Sequence, residues 1–513
     1  MICPPVLGLG FMFFRLRSWQ PFRRSFATET QTGKPSRYGQ PFFQFHPHLV
    51  QPNELTPGIP PEDYESRRRK LMDALPENSV VISVSAPVKY MSNNIFYKYR
   101  QASDFWYLTG FMEPESAVVL EKMPSSTRGY RMKLFCSGKN AEKEKWDGPR
   151  TSLADAASIF HADDAMHITA FSSYLKSSLS TYSSIFIDTP ESDRRGQTMR
   201  RSARVAAKSI LKYLSSSYNP LPSDHDHILG SLTSSKCKPL SIEVARLREI
   251  KSLPEQNMMR SAATISGRAH AKTMRFTQPR MSEAALAAHF EYTCSLSGAQ
   301  RPAYVPVVAS GANALIIHYT QNDHLLQPNE IVLMDAGCEY NGYASDITRS
   351  FPVSGTFTVP QRDLYSAVLS AQKSLINMCT ERANLSLNNL HRMSCDRLRQ
   401  ELAQIGFSSL RAGDLERILY PHFLSHPIGI DLHESSNFDR GSRLKNGMVI
   451  TIEPGIYVPP SPEFPKYFHN IGIRIEDEVL VGEDYPTVLT VAAPKEIADV
   501  EGACQGSLGL EPY

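Results

Sequence analysis

Four acids and a histidine in the C-terminal half are the residues whose types and order promise chemistry. Asp335 ends the apolar run IVLMD, where an unpaired carboxylate is costly. Asp346 follows eleven residues later, Glu453 closes VITIE, and Glu476 stands two residues after Arg474 in IRIEDEV. His426 lies in FLSHPIG, and His433 follows it across a segment interrupted by Pro427 and Gly429. Taken singly, each has an ordinary reading: a turn or strand-end acid held by backbone donors, an Arg–Glu edge pair, a hydrogen-bonded core histidine. Gathered in one apolar place, four acids repel one another strongly. Two divalent cations resolve that repulsion. The oxygen-rich set suits Mn2+, Zn2+, Co2+ or Fe2+ better than a thiolate site does. Cys338 lies near Asp335, but no second soft ligand accompanies it, and it reads as a bystander.

The elements that must position these residues follow from periodicity. Asn341-Gly342 predicts a tight turn that folds the runs 331–336 and 343–349 into an antiparallel pair. Further strands are expected at 448–452 and 471–481. Alternation along the last puts Arg474 and Glu476 on one side, so the arginine can orient a carboxylate. Helices are expected at 283–298, 360–378 and 383–405, with Pro254 in the first turn of an earlier one. This half is α+β. Upstream, YESRRRKLMDAL (64–75) and 152–159 read as helices. SVVISVSA (79–86), FWYLTGF (105–111), SAVVLE (116–121), MKLFCSG (132–138) and SIFID (184–188) read as strands. Together they make a small α/β domain.

The chain has 513 residues, 41% hydrophobic and 21% charged, with a net charge of +3. That length accommodates two domains. The near balance of charge gives no pull toward nucleic acid, and no apolar run is long enough to span a membrane. Eight scattered cysteines without a CxxC pair fit a reducing intracellular compartment. Residues 1–28 carry Arg15, Arg17, Arg23 and Arg24 among bulky groups, and Glu29 is the first acid. That pattern suits a mitochondrial presequence. A secretory signal built on Val6–Phe14, which no basic residue precedes, and an uncleaved tail compete with it. The expected plan is 1–28 presequence, 29–60 linker or arm, 61–235 α/β domain, 236–495 catalytic domain and 496–513 tail.

The motifs, in order, resemble those of the aminopeptidase P family of pita-bread metallopeptidases. The resemblance is carried by IIHYT (316–320), MDAG (334–337), SDITRSFP (345–352), LSHPIG (424–429), DLHE (431–434), TIEPG (451–455) and IRIEDEVLV (473–481). RQASDFWYLTGFMEPES (100–116) is similar to the family's N-terminal segment, and the likeness covers about residues 60–492. It implies a pita-bread domain after a smaller α/β domain, and two divalent ions, Mn2+ foremost. Asp346 and Glu476 would bridge them, Asp335 would complete one site, and His426 and Glu453 the other. It implies that Glu453 takes a proton from water, that His433 and His318 meet the substrate carbonyl, and that Arg474 supports the ligands from outside. Tyr304, Tyr457 and segment 310–319 would shape side-chain pockets. The implied reaction removes one N-terminal residue. With the leader, the chain looks most like the mitochondrial intermediate-cleaving and Xaa-Pro aminopeptidase 3 group, whose members trim imported proteins after presequence cleavage. Arg24-Ser25-Phe26-Ala27 fits such a cut, with Phe26 removed, on this chain itself. A general Xaa-Pro aminopeptidase and a non-catalytic peptide-binding scaffold are the alternatives. The expected partners are protein or peptide N-termini, the inner-membrane surface and a second copy of the chain. The expected location is the matrix or the matrix face of the inner membrane, with a cytosolic or nuclear pool besides.

Overall fold

The structure, a computed structural model, describes residues 34–188, 235–407, 410–435 and 437–511. The expected presequence, with Phe26, lies outside the described residues, as does most of the serine- and arginine-rich stretch before 235.

A six-stranded sheet organises the first domain, in the order Asp164–His167, Tyr130–Cys136, Ala117–Lys122, Ser79–Val84, Ser184–Ile187, Cys237–Pro239. Ser79–Val84 pairs antiparallel with Ala117–Lys122 and parallel with Ser184–Ile187. Both faces are covered. Val80, Ile82 and Phe135 pack with Phe171 and Leu175, whereas Val81, Val118 and Leu134 face Tyr64, Leu71 and Phe105. The arm lies over this second layer, with Tyr38, Phe42, Leu55 and Ile59 buried in it.

FWYLTGF is not a strand: Ser103–Thr109 is a helix. Its residues from Phe105 to Thr109 are all buried, so the side-chain period that separates helix from strand is absent from the sequence. The deciding local signal is Gly110. It caps the helix at φ 69°, a left-handed conformation that glycine adopts without strain.

In the C-terminal half, helices Leu253–Phe276, Glu283–Leu296, Val359–Ile376 and Leu387–Gln404 pack on short curved sheets. Ser252 and Glu255 form a reciprocal cap on the first of these, with Pro254 in its opening turn as expected. Ile331–Asp335 pairs antiparallel with Val307–Ser310 and with Thr348–Pro352. Val449–Ile452 pairs with Asp477–Leu480, and Gly455–Val458 with Ile471–Arg474. The stretch read as a tail begins with helix Ile497–Gln505, whose Val500 and Ala503 enter the largest core. Among the described residues no helix is long and apolar enough to cross a membrane.

Two expected strands are broken, and both breaks carry an acid. The Asn341-Gly342 turn forms with φ 49° and 87° and pairs Tyr340 with Tyr343. The strand after it stops at Ala344 and resumes at Thr348. The chain crosses so closely there that a Cβ on Gly337 would lie 1.8 Å from the Ser345 carbonyl oxygen. Run 471–481 likewise splits into Ile471–Arg474 and Asp477–Leu480. Arg474 and Glu476 therefore do not share one continuous strand.

Candidate metal centre and substrate cavity

The breaks bring the acids together. The register sets Asp335 opposite Thr348, whose hydroxyl donates to Glu476 at 2.7 Å. The Glu476 N–H in turn donates to the Thr348 carbonyl. Asp346, freed from any ladder, has its N–H held by the buried Glu478 carboxylate at 2.8 Å. His426 and Glu453 come from two further segments that bond to each other. His426 shares a backbone bond with Thr451, and the Glu453 N–H donates to the Leu424 carbonyl.

His426 Nε2 lies 3.2 Å from Asp346 Oδ2 and 3.7 Å from Glu453 Oε1. Ligand atoms of Asp346, His426 and Glu476 all lie within 4.8 Å of one another. The Tyr304 hydroxyl spans Asp335 and Asp346, at 2.5 and 2.6 Å. Arg474 reaches Asp335 at 2.7 Å, Thr348 at 3.0 Å and the Tyr457 hydroxyl at 2.7 Å. The arginine thus orients Asp335 rather than its neighbour Glu476. All five expected ligands line one cavity of about 600 Å³, with His318 and His433.

The charge in this cavity is unbalanced. Burial, then the neighbouring Asp346, Glu453 and Asp335, push Glu476 well above the ordinary carboxylate range. Burial lifts Glu453 to about 8 although His426 opposes it. Burial also raises Asp335 against the pull of Arg474. Asp346 goes down: burial resists, but hydrogen bonds from His426 and Tyr304 win. Burial lowers His433 to about 4, with His426 adding to the shift, so it is neutral near pH 7. Four acids outnumber the two arginines, Arg440 and Arg474, that line the cavity with them, and with the imidazole of His426 they are a donor set for divalent cations.

Apolar walls complete the cavity, among them Val305, Ile317, Phe423, Leu432 and Phe438. His318 reaches it from the loop after Gly311–Leu315. That loop is tied down by buried Glu283, which accepts from Ser310, Asn313, Tyr319 and the His324 N–H. Cys338 is buried outside the cavity. Tyr304 lines the cavity and Tyr457, expected to do so too, does not; each hydroxyl nevertheless bonds a charged group of the site. Sequence reasoning passed over His422. It lines the cavity, touches the Tyr457 hydroxyl at 2.9 Å and lies 3.8 Å from Glu453. Its position four residues before His426, in HFLSH, was the available signal.

Family comparisons agree with this geometry. Residues 257–483 match the model of metallopeptidase family M24, and residues 64–186 match that of the aminopeptidase P N-terminal domain. The chain belongs to metallopeptidase family M24, in the two-domain aminopeptidase P form, and is a metal-dependent aminopeptidase. Among curated relatives it is similar to intermediate cleaving peptidase 55 of Saccharomyces cerevisiae, at 38% identity across 93% of this chain and 90% of the relative. The mitochondrial intermediate cleaving peptidase 55 of Arabidopsis thaliana is 37% identical across 93% and 89%. Xaa-Pro aminopeptidase 3 of Rattus norvegicus is 35% identical across 92% and 91%. The crystal structure of Icp55 from S. cerevisiae superposes with a TM-score of 0.76 at 36% identity, covering 88% of this chain and 99% of that one.

Proposed function

We propose that this aminopeptidase works in mitochondria, on the matrix side, and removes a single residue from the N-termini of imported proteins after their presequences are cut. One observation carries the reading: Asp335, Asp346, His426, Glu453 and Glu476 converge from distant segments on one cavity that also holds His433 and His318. The names of the yeast and Arabidopsis relatives support the substrate and the compartment.

Asp335, Asp346, His426, Glu453 and Glu476 would hold two divalent ions, Mn2+ foremost. The raised acids and the Asp346–His426–Glu476 cluster fit that load. Divalent ions held there acidify a water and polarise a carbonyl. The chain's own groups do the rest. Glu453, on the cavity wall beside His426, receives the proton that the water gives up. His433, kept neutral, donates an N–H to the oxyanion that develops on the scissile carbonyl. His318 steadies the same end of the substrate from the loop after Gly311–Leu315. Arg474 donates to Asp335 and orients it, while the Tyr457 hydroxyl fixes the arginine's other arm. The apolar walls accept the departing residue's side chain.

General Xaa-Pro aminopeptidase activity is the second reading, favoured by the similarity to Xaa-Pro aminopeptidase 3. Matched peptides that differ only at their second residue separate the two. Ready removal of Phe, Tyr or Leu before a small residue supports intermediate cleavage. A strict requirement for proline rejects it in favour of the second reading.

A further inference from the structure

The segment Arg100–Asp104 of the first domain plays no part in the chemistry above, yet it meets the loop that carries His433. Arg248 lies between them. It closes helix Leu240–Arg248 and is only 5% exposed. Its guanidinium donates to Asp104 at 2.7 Å, to Asp431 at 2.6 Å and to both oxygens of Glu434 at 3.1 Å. Asp431 also accepts from the Ser103 hydroxyl at 2.6 Å and from Arg100 at 3.2 Å. Arg100 donates besides to the Ile430 carbonyl at 2.9 Å.

These bonds fall on both sides of His433. Within the loop, the Asp431 N–H donates to Glu434, and the Glu434 N–H donates to the Pro427 carbonyl. The Gly429 N–H donates to the Asp431 carbonyl, so residues 427–434 close on themselves. A Cβ on Gly429 would lie 2.6 Å from the Glu434 carboxylate. Leu432 and His433 face the cavity from this clamped loop, with the His433 ring edge-on to His426 at 4.3 Å. The backbone on either side of His433, rather than a bond to its ring, sets where its N–H points.

We infer that Arg248, together with Arg100 and Ser103, is a positioning set: it fixes His433 through Asp431 and Glu434, and makes the first domain part of the catalytic geometry. The inference rests on the role given to His433 above. An oxyanion donor displaced by about an ångström loses most of its value, so a clamp reaching from another domain acts on turnover and leaves ground-state binding nearly alone.

Arg248→Met removes the cation that Asp104, Asp431 and Glu434 share and is expected to fold poorly. Ser103→Ala removes the hydroxyl's two hydrogen bonds, one donated to Asp431 and one accepted from Arg100, and strands no charge, so it is the decisive variant. In the metal-loaded full chain, Ser103→Ala is expected to lower kcat about three- to tenfold, a part of what the lost hydrogen bonds contribute, since Arg100 and Arg248 still hold Asp431. KM and bound metal should stay within about twofold, and Ser103→Thr should restore most of the loss. In a His433→Ala background, Ser103→Ala should change kcat by less than about twofold, because the effect passes through that residue. A Ser103→Ala loss of equal size in both backgrounds overturns the inference and leaves the role of His433 standing. So does full turnover in Ser103→Ala alone. Full turnover in His433→Ala overturns both.

Discussion

Glu476 and Asp477 are adjacent, both fully buried, and opposite in character. Asp477 accepts from Arg349 at 2.7 Å, Lys495 at 2.5 Å, Thr490 at 2.7 Å and Gln372 at 2.8 Å. Burial works against its charge, but Arg349 and Lys495 hold it well below the ordinary carboxylate range. Glu476 has Thr348 for a donor and three other acids for neighbours, and is pushed well above that range. The same contrast separates whole regions. Around Arg248, Asp431 is held below its usual value despite burial, because Arg248 and Arg100 face it. In the cavity the acids outnumber their cations. Around Asp477 and Asp431 the chain supplies the cations; in the cavity it supplies too few, and the clustered acids there suit an ion from solution.

Several changes would break or sharpen that contrast. Stripping divalent ions with a chelator is expected to abolish peptide hydrolysis, and adding Mn2+ back to restore it. Residual activity after dialysis reads the effect directly. Glu453→Gln in the reloaded enzyme should cost about 10²–10⁴-fold in kcat, the usual worth of a positioned general base. His433→Ala should cost about 10²–10³-fold, as for an oxyanion donor. Both are read from steady-state kinetics alongside a circular dichroism spectrum that stays unchanged.

The adjacent pair then gives opposite signs. Asp477→Asn strands Arg349 and Lys495 and should destabilise the fold by about 3–5 kcal/mol. Glu476→Gln relieves repulsion, so the chelated protein should unfold at a higher temperature while losing its stabilisation by metal. Denaturant titrations with and without Mn2+ compare the two.

The smallest effect is in pH. Glu453 titrates near 8 in the folded chain without metal, against about 4.3 for an unfolded glutamate. A raised acid binds more protons folded than unfolded. Its contribution to stability is therefore full below the unfolded value and lost as pH rises through the folded one. The chelated protein should lose stability progressively from about pH 4.3 to about 8, and level off above that, relative to its Glu453→Gln variant. Melting curves across that range check it, and equal slopes would remove the raised acid from the account.

The site was more legible in the sequence than the fold around it. Asp335, Asp346, His426, Glu453 and Glu476 each have an ordinary reading alone and stood out through the aminopeptidase P motifs they sit in; the fold brings all five to one cavity. The breaks that free Asp346 and Glu476 from their ladders were not. They come from contacts between distant segments, such as the Ser345 carbonyl pressed on Gly337. Helix Ser103–Thr109 was hidden because burial on all sides erases periodicity. His422 escaped because its partners, Tyr457 and Glu453, lie more than thirty residues away. The hold of Arg248 on the His433 loop joins residues 183 and 186 positions apart, a separation that no local pattern reports.

The most direct measurement is metal titration of the chelated full chain, following bound Mn2+ and hydrolysis together. Two ions per chain are predicted, with activity rising as they bind and both signals lost in Asp346→Asn. Full hydrolysis by a chain carrying no divalent ion would contradict the account. So would a cavity that takes up none at millimolar concentration.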